Sequence, residues 1–206
     1  RAIAANTKIV WLESPTNPRL LVYDIAAISR FAHARGALVV VDNTFATPYF
    51  QQPFELGADL VVHSVTKYLA GHSDLVQGAV IGRDAAIFEP VGFLQNALGG
   101  VPSPFDCWLT MRGLKTMELR MARHAENATA VAHALAAHPR VARVYFPGLP
   151  SHPGHEIARR QMTGFGGMVS FELDGTPEEA GRFVSSLRYF ALGESLGGVR
   201  ALLCVP

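Results

Sequence analysis

The chain has 206 residues, of which 49% are hydrophobic and 17% are charged. This composition supplies enough apolar side chains for a buried core and excludes an intrinsically disordered protein. The formal net charge of +1 argues against nucleic acid or an anionic membrane surface as a partner, and no apolar run reaches the roughly 18–20 residues of a membrane span.

The first half of the chain predicts buried strands that alternate with helical segments. The apolar runs that indicate strands are residues 8–13, 37–41, 59–63 and 77–82. Asp24 to Arg35 is predicted as a helix, because Asp24 can cap it, apolar residues recur at helical spacing and Gly36 follows. Runs without polar alternation are buried on both faces, so this order predicts an α/β fold with a largely parallel sheet covered by helices. We expect the last strand to be antiparallel, since the segment before it is too short for a helical crossover.

After about residue 104 the pattern becomes more helical. Leu114 to Ala137 is predicted as one long helix, because apolar residues recur every three to four positions and Pro139 follows. This helix marks the entrance to a second unit. We therefore expect a large domain over residues 1–117 and the start of an α+β C-terminal domain over residues 118–206.

The remaining segments predict mixed secondary structure. A loop rich in proline and glycine runs from Tyr145 to Gly154, and a short helix at residues 155–162 and a strand at residues 168–173 are expected after it. Thr176 is expected to begin a further helix. It can act as the N-cap, Pro177 suits the first helical position, and acidic residues follow in the first turn.

The two cysteines, Cys107 and Cys204, lie far apart and form no CxxC pair. A disulfide framework needs more cysteines, so we expect a reducing, cytoplasmic setting. The sequence begins at Arg1 and ends in the apolar run 202–206, and we expect it to be a piece of a longer protein.

Two predicted strands deliver polar side chains to the same edge of the sheet. Asp42 follows one of them, and Ser64, Thr66 and Lys67 follow the other. Ligands of open α/β sheets bind outside the carboxyl ends of the strands. Pyridoxal phosphate suits this set, since it needs a lysine amine, a carboxylate for its ring nitrogen and hydroxyl donors for its phosphate. Each residue alone also has an ordinary structural interpretation as a turn residue, a backbone cap or a solvated lysine, so spacing alone leaves the cofactor open.

Seven short motifs, which follow one another over nearly the whole chain, resemble the Cys/Met-metabolism family of pyridoxal-phosphate-dependent enzymes. The segment that resembles the cofactor-lysine motif is Ser64 to Asp74. The other six motifs are residues 14–18, 41–44, 112–116, 145–149, 164–168 and 194–198. Residues 148–155 in particular resemble cystathionine γ-synthases and γ-lyases. The resemblance implies the fold type I, aspartate aminotransferase-like architecture of pyridoxal-phosphate-dependent transferases.

The resemblance implies a role for each matching residue. Lys67 would bind the cofactor covalently and then act as the acid and base that moves protons, while Asp42 would pair with the ring nitrogen. The remaining implied cofactor contacts are those of Ser64 and Thr66 with the phosphate, Asn17 near the 3-hydroxyl and Thr44 against the ring.

The resemblance also implies a substrate-binding segment near the end of the chain. Ser195 and the backbone of Leu196 would bind the substrate carboxylate, and Glu194 could receive the amino group of a cysteine or cystathionine arm. Arg200 departs from the glutamate that the family often carries there, which leaves the exact reaction open. No metal site is expected, because His152 in the 145–154 loop and the neighbouring His155 lack a third ligand nearby.

The implied function is γ-replacement of an activated homoserine ester by cysteine, with small amino acids as substrates and a homodimer or homotetramer as the assembly. Cystathionine γ-lyase is the close alternative, followed by methionine γ-lyase and the homoserine-ester sulfhydrylases. A non-catalytic structural fragment is the alternative from another class, because the ring-stacking tyrosine and the carboxylate-binding arginine of the family cannot be assigned here. A nucleotide-binding α/β protein is disfavoured by the absence of a phosphate-binding glycine motif.

Overall fold

A four-stranded sheet forms the centre of the computed structural model, which describes residues 3–205. Its strands are β1 (Ile9–Glu13), β2 (Leu38–Asp42), β3 (Leu60–Ser64) and β4 (Gly78–Gly82), in the order β1-β2-β3-β4. The first three are parallel and β4 is antiparallel to β3. The predicted α/β class and the antiparallel last strand are both confirmed.

Helix α1 (Ile25–His33) covers one face of the sheet. The Asp24 carboxylate accepts a hydrogen bond from Ala27 N at 2.9 Å, so the predicted cap is confirmed. Ile25 and Ala32 are fully buried and share an apolar cluster with the β2 side chain Val39. After β2 come a short helix, α2 (Thr47–Phe50), and a 3-10 turn, Pro53–Leu56.

Three helices lie between β4 and the next strand. They are α3 (Ala85–Leu98), α4 (Pro104–Leu114) and α5 (Met117–Ala136). The sequence patterns predicted neither α3 nor α4, and the single helix expected from Leu114 proves wrong at its start. The chain leaves helical geometry at Thr116 (φ −111°, ψ 4°), so α4 and α5 are separate helices. Near the end of α4, Gly113 lies so close to the backbone of Ala70 that a Cβ there would collide with Ala70 O.

The last third of the chain is a mixture of short strands and helices. Its elements are β5 (Val141–Tyr145), α6 (His155–Gln161), β6 (Ser170–Leu173), α7 (Pro177–Ser186), β7 (Ala191–Leu192) and β8 (Leu202–Leu203). β5 pairs antiparallel with β6, and β7 pairs parallel with β8. α7 begins at the expected N-cap, Thr176, which forms a capping box with Glu179, whereas β5, β7 and β8 were not predicted.

The core joins the two halves of the chain. Phe50 and Tyr68 from the first half share one apolar cluster with Met121 and Ala158 from the second half. The boundary between residues 117 and 118 therefore stays a prediction, with a core cluster that crosses it. Among residues 3–205, no helix combines the length and the apolar character needed to cross a bilayer.

A buried amide network links the same two halves. Gln51, which is 1% exposed, donates from Nε2 to Ser14 O at 2.8 Å and to Asn43 Oδ1 at 2.9 Å. Gln161 of α6 donates to Gln51 Oε1 at 2.9 Å and accepts from Ile25 N at 3.3 Å. Because a satisfied buried network resists distortion, it ties the loop after β1 and the segment after β2 to α6.

Candidate active site

The ends of β2 and β3 are joined by hydrogen bonds of a single residue, Thr44. Asp42 and Ser64 are the last residues of these adjacent parallel strands. Thr44 N donates to Asp42 Oδ1 at 2.9 Å, and Thr44 Oγ1 accepts from Ser64 N at 2.8 Å. Thr44 therefore fixes the position of Asp42 relative to Ser64. Both lie at the carboxyl edge of the sheet, where ligands of such sheets bind.

Lys67 lies in the turn that directly follows β3. Its N–H donates to Ser64 O at 3.1 Å, and its carbonyl accepts from Gly71 N at 2.8 Å. The hydroxyl of Thr66 is engaged with Gln77, since it accepts from Gln77 N at 2.9 Å and donates to Gln77 O at 3.2 Å. Ser64 Oγ, by contrast, makes no hydrogen bond within the part of the chain that the structure describes.

The segment 194–198 reaches the turn of Lys67 across 128 positions of sequence. Lys67 Nζ donates to Ser195 Oγ at 3.2 Å. Gly197, with φ +79°, lies so close that a Cβ there would come within 2.5 Å of Tyr68 N and 2.7 Å of Lys67 C. The absence of a side chain at Gly197 therefore lets Ser195 approach the lysine amine. Leu196 packs on the shared apolar cluster.

Two of the residues assigned by resemblance lie at the exposed rim of this region. Asn17 is exposed in the loop after β1, and Glu194 is exposed next to Ser195. Arg200 is exposed as well. The structure thus brings Lys67 and Ser195 into direct contact and leaves Asn17 and Glu194 in the loops around them.

Glu13 is a carboxylate that the sequence patterns did not single out. It ends β1 in register with Asp42, so both side chains point to the same face of the sheet. Burial raises the pKa of Glu13, a backbone hydrogen bond with Asn17 lowers it, and the Asp42 charge raises it. Its place at the end of β1, equivalent to that of Asp42 in β2, is the signal that could have identified it.

His63 is a second missed residue, and it is 4% exposed beside Ser64 in β3. Its Nδ1 has no hydrogen-bond partner among residues 3–205. Burial lowers its pKa to about 4, and the Asp42 charge opposes this shift only in part. His63 is therefore a neutral imidazole at pH 7.

These residues fit the binding of pyridoxal phosphate. One edge of the sheet carries a primary amine at Lys67, a carboxylate one strand away at Asp42 and a hydroxyl at Ser64 that no other described group engages. Such a donor set matches a cofactor with an aldehyde, a basic ring nitrogen and a phosphate. Among residues 3–205, no group of three or more histidine, cysteine, aspartate or glutamate side chains could hold a metal ion.

Comparison with known proteins gives a match over the whole chain. The family described as Cys/Met metabolism PLP-dependent enzyme matches residues 1–206. The chain is 56% identical over 205 residues to cystathionine γ-synthase of Mycobacterium tuberculosis, with all of this chain and 53% of that protein covered. It is 54% identical over 206 residues to cystathionine β-lyase of Lactococcus lactis, with all of this chain and 54% of that protein covered.

A solved structure shows the same fold. Cystathionine γ-lyase of Lactobacillus plantarum, complexed with L-serine, is 46% identical, with a TM-score of 0.96 over all of this chain and 54% of that chain. The chain spans about half the length of the curated relatives it matches. The fold class expected from the resemblance is confirmed, and the chain belongs to the Cys/Met-metabolism family of pyridoxal-phosphate-dependent enzymes.

Proposed function

We propose that the full-length protein is a pyridoxal-phosphate-dependent enzyme of sulfur amino-acid metabolism that makes or breaks C–S bonds. The observation that carries this proposal is the 3.2 Å contact between the Lys67 amine and the Ser195 hydroxyl, at the sheet edge that also carries Asp42. Relatives of this chain bear the names of synthases and lyases that act on cystathionine. Both lines of support point to the same class of chemistry.

In this proposal the bound cofactor supplies an electron sink that stabilises negative charge at the α-carbon of an amino acid. Lys67 would hold it covalently, and Asp42 would keep a proton on its ring nitrogen. The other proposed contacts are Ser64 and Thr66 for the phosphate, Asn17 for the 3-hydroxyl and Thr44 for the ring face. The Thr66 hydroxyl already forms hydrogen bonds with the backbone of Gln77, so it would have to bind the phosphate in addition to them or in place of one of them.

In the same proposal, side chains and backbone groups of this chain transfer protons and bind the substrate. The Lys67 amine, freed when the amino group of the substrate takes its place, would take the α-proton and move a proton at the β-carbon, which a primary amine can do as both acid and base. The Ser195 hydroxyl orients that amine through the 3.2 Å hydrogen bond. Ser195 and the backbone of Leu196 also receive the substrate carboxylate.

Among reactions of this class we propose γ-replacement of an activated homoserine ester by cysteine, as in cystathionine γ-synthase. The exposed Glu194 precedes Ser195, and its carboxylate suits the amino group of an incoming cysteine. We further propose a cytoplasmic location, in keeping with two cysteines that form no disulfide. A homodimer or homotetramer, implied by the family resemblance, is part of the same proposal.

The cofactor assignment is tested with the full-length protein, pyridoxal phosphate and borohydride. We expect a visible absorption band that borohydride removes, with the reduced label on the peptide that contains Lys67. Lys67→Ala should give neither the label nor turnover. A wild-type protein that folds and takes no label at Lys67 would contradict the enzyme proposal and favour a non-catalytic role.

The reaction is tested by comparing two substrate sets. One reaction contains cystathionine alone, and the other contains a homoserine ester with cysteine. We expect the second to give cystathionine faster than the first consumes it. A faster breakdown of cystathionine would instead assign a lyase, and the carbon skeleton released would tell a γ-lyase from a β-lyase.

A further inference from the structure

Helix α5 places a buried cation behind the turn that carries Lys67. Arg120 is 9% exposed. Its hydrogen bonds run from Nε to Thr116 Oγ1 at 3.0 Å, from Nη1 to Tyr68 O at 2.7 Å, and from Nη2 to Gly113 O at 2.8 Å and Leu69 O at 3.3 Å. Two of these acceptors belong to the residues directly after Lys67. The guanidinium therefore binds the main chain of residues 67–71, which we call the lysine turn.

No carboxylate balances this charge within residues 3–205, since none of the ion pairs there includes Arg120. Backbone carbonyls stabilise it instead. One of them, Gly113 O, lies in the last turn of α4, where the helix dipole favours a positive charge. Burial lowers the pKa of Arg120, which is the expected effect of removing a cation from water.

One glycine makes room for the guanidinium, and a second lets α4 approach the turn that carries Lys67. A Cβ at Gly71, which has φ +72°, would collide with Arg120 Nη1, and a Cβ at Gly113 would collide with Ala70 O. The residues that let Arg120 reach its acceptors therefore lie in the lysine turn itself and at the end of α4. An apolar side chain at position 120 would fill the same core but leave the carbonyls of Tyr68 and Leu69 without these donors.

We propose that Arg120 is a positioning residue for Lys67, because its forked guanidinium fixes the backbone from which the lysine amine reaches Ser195. Gly197 packs against the same turn from another element, so the turn is held by α5 as well as by the 194–198 segment. A planar guanidinium donates to several carbonyls in fixed directions, whereas an ammonium is a compact point charge and cannot reproduce the set. This inference rests on the proposed role of Lys67 and adds the group that orients it.

The test compares Arg120→Met with Arg123→Met in the full-length apo-protein. Arg123 lies on the same helix, is exposed and pairs with Glu126 at 3.1 Å, so it is a matched control. The first readout is the rate at which added pyridoxal phosphate becomes fixed to Lys67 by borohydride. The second is hydrogen exchange of the peptide that contains residues 67–71.

For Arg120→Met we expect fixation at Lys67 to slow on the order of tenfold and exchange of the 67–71 peptide to accelerate by a similar factor, because the carbonyls of Tyr68, Leu69 and Gly113 each lose a donor. Arg123→Met should match the wild type in both readouts. Arg120→Lys should restore only part of the rate. Added methylguanidinium should raise the fixation rate of Arg120→Ala, which a general loss of structure would not allow.

Unchanged fixation and exchange in Arg120→Met would overturn the inference. If that variant does not fold, Arg120→Lys decides the question, and a wild-type rate in it would equally overturn the inference. A wild-type protein without label at Lys67 would instead overturn the proposed function, so the two failures can be told apart.

Discussion

Asp42 has one structural role that the structure shows and one chemical role that we propose. Its Oδ1 accepts from Thr44 N at 2.9 Å, which shapes the segment after β2, and its charge is the part that the proposed chemistry needs. Asparagine at this position keeps an acceptor oxygen and removes the charge. The two roles can therefore be separated experimentally.

We expect Asp42→Asn to slow exchange of the substrate α-proton with solvent by roughly a hundredfold or more, because without the negative charge the ring nitrogen would lose its proton and the cofactor would stabilise the α-carbanion less well. The measurement is deuterium incorporation from D₂O, followed by NMR. Asp84→Asn is a matched control, because Asp84 Oδ1 also accepts from the backbone N–H two residues later, at Ala86. Equal exchange rates in Asp42→Asn and the wild type would remove Asp42 from the proposed mechanism.

At the scale of elements, the approach of the 194–198 segment to the lysine turn depends on one glycine. Gly197 has a positive φ and lies against Tyr68 N and Lys67 C. Gly36 has a similar φ of +70°, but a Cβ there would meet nothing within 4 Å. Alanine at either position would strain the backbone, but only alanine at Gly197 would also collide with neighbouring atoms. Comparing the two substitutions therefore separates the effect of strain from that of collision.

We expect Gly197→Ala to reduce kcat more than tenfold, because the added methyl pushes Ser195 away from the Lys67 amine. Gly36→Ala should lower the free energy of unfolding by about 1–2 kcal/mol through its left-handed backbone and leave kcat unchanged. Steady-state kinetics and urea denaturation of both variants provide the comparison. Equal kcat values in the two variants would show that the close approach is not required.

The accuracy of the sequence-based predictions varied with the kind of signal. The strands at 37–41 and 59–63 were predictable because continuous apolar runs reflect burial on both faces. α3 was missed because Pro90 lies within it and no apolar stripe marks a buried face, in keeping with a helix that has no buried residue. The break before Met117 was not predictable either, since the apolar spacing continues across it and the close approach of Gly113 to Ala70 just before it is a tertiary contact.

The candidate site was predictable to a similar degree. The strand-end positions of Asp42 and Ser64 follow from the pattern of buried strands, and Lys67 follows them directly. The contact between Lys67 and Ser195 does not, because it joins segments 128 positions apart. Resemblance assigned both residues to the site, but only the three-dimensional structure shows that they touch.

At the scale of the whole molecule, histidines that are buried or half-buried in the fold couple stability to pH. Burial is the main cause that lowers the pKa of His63, of His124 and of His152. For His63 the folded value is about 4, against 6.5 as the ordinary value. Between these values the unfolded chain binds a proton that the folded chain does not, so stability falls as the pH decreases from about 6.5 towards 4.

For His63 alone the full loss amounts to about 3 kcal/mol. We expect the urea midpoint of the wild type to decrease from pH 7 to pH 5, and the decrease to be smaller in His63→Gln. The exposed His138 provides the control variant, His138→Gln, which should follow the wild type. Identical pH profiles for wild type and His63→Gln would show that His63 does not contribute to acid sensitivity.

The contact between Lys67 and Ser195 also sets an order of events during synthesis. Because the two residues are 128 positions apart, a ribosome adding about 5–20 residues per second needs on the order of ten seconds to move from one to the other. Throughout that interval the lysine turn exists without the segment that orients its amine. A nascent chain can therefore complete its sheet well before Lys67 has the hydroxyl partner seen in the folded protein.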